Sequence, residues 1–167
     1  MHTQCFAQTR LLAGEVKSNN KTFIVHKIKP MLSDTEKIIS VYSKSNKYNN
    51  GIPYSKAEKD PRFLPMNQVT DMHVNVDEIK PLVYGVLGDK IRRLKQNKES
   101  IEFDLIFKPN GEIVDMTFFL NENTLISAQE IEEIDTQLRN KIKATFTGKQ
   151  YLNYEAIPYG RMPKIVF

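Results

Sequence analysis

The chain is 167 residues long, 40% hydrophobic and 26% charged, a balance that excludes a disordered tail and fits one domain able to bury roughly two thirds of its unfolded surface. Lys and Arg outnumber Asp and Glu by 24 to 20, a net charge of +4 with pI near 9.0, spread along the chain rather than gathered into a nucleic-acid footprint. The single cysteine, Cys5, excludes an intramolecular disulfide and a thiolate metal cluster within one chain.

At the N-terminus, Cys5-Phe6-Ala7 before Gln8 has the small residues of a signal-peptide cleavage site, with the cut after Ala7. The residues before it hold no basic or apolar segment of the usual length. Residues 1–7 therefore read as the remnant of a signal whose beginning lies upstream of Met1, and the expectation is a periplasmic or secreted protein. No stretch approaches the ~18 apolar residues that span a bilayer, so no transmembrane segment is expected.

Residues 8–167 are expected to form one α+β domain, with N-terminal strands in 8–43, a long loop in 44–73 and a helix-strand-strand-helix-strand unit in 74–167. Residues 11–16 and 22–28 read as strands joined by Ser18-Asn19-Asn20, and residues 37–42 as a third. Whether these join the later sheet is not legible from periodicity. Between 43 and 71 the pattern dissolves into Asn, Gly and Pro, with Tyr48, Tyr54, Phe63 and Leu64 scattered among them. Such a loop either drapes over a sheet or binds something, and its dispersed aromatics favour draping.

Ile79, Leu82, Val83, Val86, Leu87, Ile91 and Leu94 recur at helical spacing and predict one amphipathic helix. Gly85 and Gly88 within it suggest close approach to another element. Lys90, Arg92, Arg93, Lys95 and Lys98 gather toward its C-terminal end, where they match the helix dipole, and no glycine-rich phosphate cradle accompanies them.

Residues 100–120 organise the chain. Ile101, Phe103, Leu105 and Phe107 alternate with Glu102, Asp104 and Lys108, and Lys108-Pro109-Asn110-Gly111 supplies a tight turn. The return strand puts Val114, Met116, Phe118 and Leu120 on one face and Asp115 and Thr117 on the other. This hairpin presents a wide apolar floor that needs a cover. Ser127 and Glu130 then form a capping box, with Ile126 and Ile131 as its hydrophobic staple. Ile131, Ile134, Leu138 and Ile142 mark the buried face of the second helix, and Glu132, Glu133, Arg139 and Lys141 the wet one. Residues 151–157 and 162–167 read as further strands, interrupted by Pro158, Gly160 and Pro163.

The order helix, strand, Asn110-Gly111 turn, strand, capped helix and a terminal strand closing on Phe167 resembles the C-terminal domain of TonB-type proteins. It is similar as well to a set of small uncharacterised exported proteins of Gram-negative gut bacteria. The likeness covers the chain from the first helix onward. Without a membrane anchor or Pro-rich spacer in this sequence, it does not imply energy transduction. It implies a fold of two helices on one face of a mainly antiparallel sheet, and a terminal strand, Lys164, Ile165 and Val166, that pairs with an extended partner peptide.

Catalytic signals are sparse. His2, His26 and His73 show no metal-ligand spacing. Glu102, Asp104 and Asp115 share one sheet face, a set suited in principle to acid-base work or calcium but read first as the wet outer surface. Neither a nucleophile elbow nor a P-loop nor a dinucleotide fingerprint occurs. The expectation is a binding or accessory protein without enzymatic activity, metal or cofactor, whose partner is a periplasmic protein or peptide. Two alternatives stand beside it: a small-molecule or hydrolytic site beneath residues 44–71, lined by Tyr48 and Tyr54, and a weak nucleic-acid or anionic-surface binder using Arg92 and Arg93.

Overall fold

A computed structural model of the protein describes residues 10–28, 37–48, 61–64 and 71–167. Residues 1–7 and Tyr54, with the expectations resting on them, lie outside these. The architecture is α+β: a mainly antiparallel sheet with helices packed on one face. In the larger sheet β1 (Gly14–Lys17), β2 (Thr22–Ile28), β3 (Ile38–Ser43), β6 (Ile113–Asn121) and β5 (Ser100–Phe107) lie side by side. Along the outer side of β5 run β8 (Ile157–Pro158) and β9 (Lys164–Val166). The N-terminal strands thus do join the hairpin, through β3 on β6 with Val41 opposite Phe118.

The hairpin folds as its alternation dictates. Ile101, Phe103, Leu105 and Phe107 are fully buried, and Phe103 meets Phe118 edge to face with centroids 5.7 Å apart. One detail departs from simple alternation. Ile106 pairs with Asp115 but Phe107 pairs with Ile113, so Val114 is the extra residue of a β-bulge. The bulge returns Ile113 to the core face and turns Val114, expected beside Met116, to the other side. There it packs near Ile106, Phe63 and Ala156 in a second small core.

The turn is closed by the Gly111 amide donating to the Lys108 carbonyl (2.9 Å), with Gly111 at φ +83°. β7 (Ala144–Phe146) pairs with β4 (Met72–Val74) in a separate two-stranded sheet. β4 begins in the last two residues of the stretch expected to be loop and is not legible in the sequence, because three residues are too few to show a period. Likewise residues 150–153 form a 3-10 turn, and of the expected 151–157 strand only Ile157 enters β8, with Ala156 in an isolated bridge to Phe63.

The first helical arm is broken. α1 (Ile79–Leu87) and α2 (Ile91–Gln96) are separated by a 3-10 turn at Gly88–Lys90. Gly88 takes φ +49°, a conformation other residues resist. A Cβ added at Gly85 or Gly88 would meet nothing within 4 Å. The expected close approach is therefore not the reason for these glycines; at Gly88 the reason is the break itself.

α3 (Ala128–Lys141) starts at the expected capping box: the Glu130 amide donates to Ser127 Oγ, and Ser127 N–H to Glu130 Oε2 at 2.7 Å. Its supposed wet face is not wet throughout. Glu132 and Asp135 are 8% and 1% exposed, because the β1–β2 turn sits on them. Glu132 accepts the Asn20 amide (3.1 Å), and Asp135 holds Lys21 and Arg139. Arg139 in turn donates to the carbonyls of Ile113 and Val114 (3.0 and 2.9 Å), tying the bulge to the helix.

Burial pushes the Glu132 carboxyl toward a higher pKa, but the polar groups of the β1–β2 turn, the Asn20 amide at 3.1 Å among them, outweigh it and hold it below the usual carboxylate range. A folded-state pKa below the unfolded one contributes stability above the unfolded value, about 4.3 for Glu, and loses it as pH falls through the folded value. Glu132→Gln is therefore expected to lower the urea midpoint near neutrality and to approach the wild type near pH 3. A gap that stays constant with pH would refute this linkage.

Candidate peptide-binding edge and the second sheet face

β9 lies on β5 with Ser100 opposite Val166, Ile101 opposite Ile165 and Glu102 opposite Lys164. The Phe103 amide donates to the Pro163 carbonyl (2.9 Å) and the Phe167 amide to the Glu99 carbonyl (3.1 Å). In an antiparallel pair, hydrogen-bonded and outward-facing residues alternate. Residues 163, 165 and 167 therefore point their main-chain groups at β5, whereas the N–H and C=O of Lys164 and Val166 face away from the sheet.

Side chains alternate too. Ile165 is 6% exposed and enters the main core, while Val166 is 64% exposed. Lys164 Nζ lies 3.7 Å from Glu102. Phe167 stacks on Tyr84 (centroids 6.0 Å, 23° between planes), and Glu99, which accepts from Thr124 Oγ1 (2.6 Å) and Leu125 N–H (3.2 Å), anchors the strand's end. Of the three residues expected to form the edge, Ile165 is thus an internal anchor, and Lys164 and Val166 carry the outward main-chain groups. The residue pattern gives side-chain faces but not this second alternation, which needs a register.

At the opposite edge, β1 carries Glu15 and Lys17, both exposed. Glu15 pairs with Lys44 at 2.6 Å. Charge of this kind discourages strand addition.

The sheet face away from the helices differs from expectation. Asp104 and Asp115 are 5% and 2% exposed, so this is not a wet surface. Asp115 accepts the amides of Lys47 and Tyr48 (2.8 and 2.5 Å) and fixes the loop after β3, and Glu102 faces Lys164. Opposite positions, Asp104 with Thr117 and Ile106 with Asp115, set the carboxylates on one face. They do not converge: among the described residues no His, Cys, Asp and Glu group could hold a metal ion. Phe63 is buried against Ile106 and Ala156 on this face, and Leu64 beside it is buried too.

His26 lies 3.1 Å from the Tyr42 hydroxyl, and burial pushes that phenol above its usual pKa. His73 is exposed on β4. Lys90 in the basic cluster binds Glu130 and the Leu125 carbonyl (3.0 Å), locking the helical arm to the α3 cap, whereas Arg92 and Arg93 are exposed. No helix among the described residues is long and apolar enough to cross a membrane.

These features define an α+β protein whose C-terminal strand β9 pairs with β5 alone among the described residues. No family model matches the chain, and no curated protein matches it. Among solved structures, a DUF5043 family protein from the gut bacterium Bacteroides uniformis is similar, with a TM-score of 0.55 at 13% identity over 96% of this chain and 85% of that one. At that identity the likeness is one of fold.

Proposed function

We propose that this is an exported, non-enzymatic binding protein that recognises an extended peptide segment by strand addition along β9. The observation that carries the reading is the outward main-chain pair at Lys164 and Val166, flanked by the exposed Val166 side chain, on a strand anchored from behind by Ile165. In strand addition, main-chain hydrogen bonds supply affinity and alternate side chains supply selection. A three-residue strand offers only two such residues, which fits a modest, transient interaction rather than a permanent one. The TonB-like order of elements accords with this role for a terminal strand. Export rests on the Cys5-Phe6-Ala7 pattern.

The test separates edge from ladder. Val166→Pro removes an outward N–H and leaves the β5–β9 ladder whole, whereas Ile165→Pro breaks it at Ile101. Peptides enriched on the wild-type protein from a phage-displayed library are expected to be lost by Val166→Pro at an unchanged melting temperature. Equal retention by that variant would reject the edge.

A further inference from the structure

On the second sheet face, the loop after β3, the hairpin turn and residues 154–155 border an open cleft of about 430 Å³, a volume suited to a small molecule. Its floor is apolar and half-buried: Tyr48, Pro109, Val114 and Tyr154. The Tyr48 ring is held before any ligand arrives. Its hydroxyl donates to Glu155 (2.7 Å), Arg62 lies 5.9 Å from its centroid, and its main chain is clamped by Asp115. A ring that is already ordered loses little freedom on binding.

The rim charges decide what kind of ring compound fits. Glu155 is held by Tyr48 and lies 3.9 Å from Arg62, and Lys108 faces Glu112 at 3.6 Å. Lys47 also lines the cleft, and its ammonium makes no ion pair among the described residues. One uncompensated positive charge beside two tyrosines complements a flat apolar ligand with a single negative group.

We infer that this cleft binds a small aromatic carboxylate, the ring against Tyr48 and Tyr154 and the carboxylate on Lys47. The site is separate from the β9 edge and independent of the peptide reading. Titrating the full chain with 3-phenylpropionate, followed by ligand-observed NMR, should give saturable binding with a Kd of about 1 mM or tighter. The neutral 3-phenylpropionamide and the exposed substitution Lys47→Glu should each weaken it about three- to five-fold. Tyr154→Ala should abolish saturation, and the distant Arg92→Glu should leave it unchanged. Equal binding of acid and amide, wild-type affinity in Lys47→Glu, or uptake that never saturates would overturn the assignment.

Discussion

Phe103→Ala is expected to lower the unfolding free energy by about 3–5 kcal/mol, the usual loss for an aromatic side chain removed from a close-packed interior. Phe103 is fully buried on β5, meets Phe118 on β6 edge to face, and belongs to the cluster that also holds Val83, Leu94, Ile131 and Leu138 from the helices. Sheet and helices share this side chain, so the cavity would open at their common boundary. Against a typical total of about 5–15 kcal/mol, such a loss leaves a marginal fold. Urea denaturation followed by circular dichroism measures it. A loss below about 1 kcal/mol would mean that the hairpin floor is not where the helices rest.

Gly111→Ala should be nearly as damaging, at about 2–4 kcal/mol, for a different reason. A Cβ there would sit 2.1 Å from the Ala144 carbonyl oxygen, a backbone atom that cannot swing aside, and Gly111 holds φ +83°. The same turn receives the Ala144 amide on the Gly111 carbonyl (2.9 Å), so the hairpin tip and β7 would be forced apart together. Gly85→Ala is the matched control. It lies within α1 with open space around it, and there the exchange should stabilise by about 0.5–1 kcal/mol. Equal effects at the two glycines would refute the close approach at the hairpin tip.

What the sequence reveals and what it withholds divide along physical lines. The hairpin, its Pro109-Asn110-Gly111 turn and the Ser127–Glu130 cap are local: each rests on contacts between near neighbours, which alternation and capping rules read directly. The bulge at Val114 is not local. It satisfies Phe63 and Ala156, distant in sequence, and no residue near Val114 announces it.

Glu132 and Asp135 show the same limit from the other side. Their charge argues for water, yet the β1–β2 turn supplies an amide and an ammonium that make burial tolerable. A signal was present for Asp135, which sits four residues after Ile131 and three before Leu138 on the apolar stripe. Gly88 was legible as a helix weakness but not as a break, because the choice between close packing and positive φ depends on what lies opposite.

The terminal strand was legible at Lys164, Ile165 and Val166, all three expected to meet a partner; that Ile165 turns inward comes from the structure alone. Which of the strand's amides point outward was not legible, since that depends on whether Ile101 faces Ile165 or a neighbour. The cleft at Tyr48 was half visible: Tyr48 belonged to the expected aromatic loop, but Tyr154 enters from a segment more than a hundred residues away, expected as a strand of which only the last residue pairs in β8.

Amide hydrogen exchange along β9, read residue by residue by NMR in the free protein, tests the open edge most directly. The amides of Ile165 and Phe167 should be protected by β5, and those of Lys164 and Val166 should exchange at near the rate of an unstructured chain. Protection of Lys164 and Val166 equal to that of Ile165 would show the edge already occupied, and strand addition there would have to be abandoned.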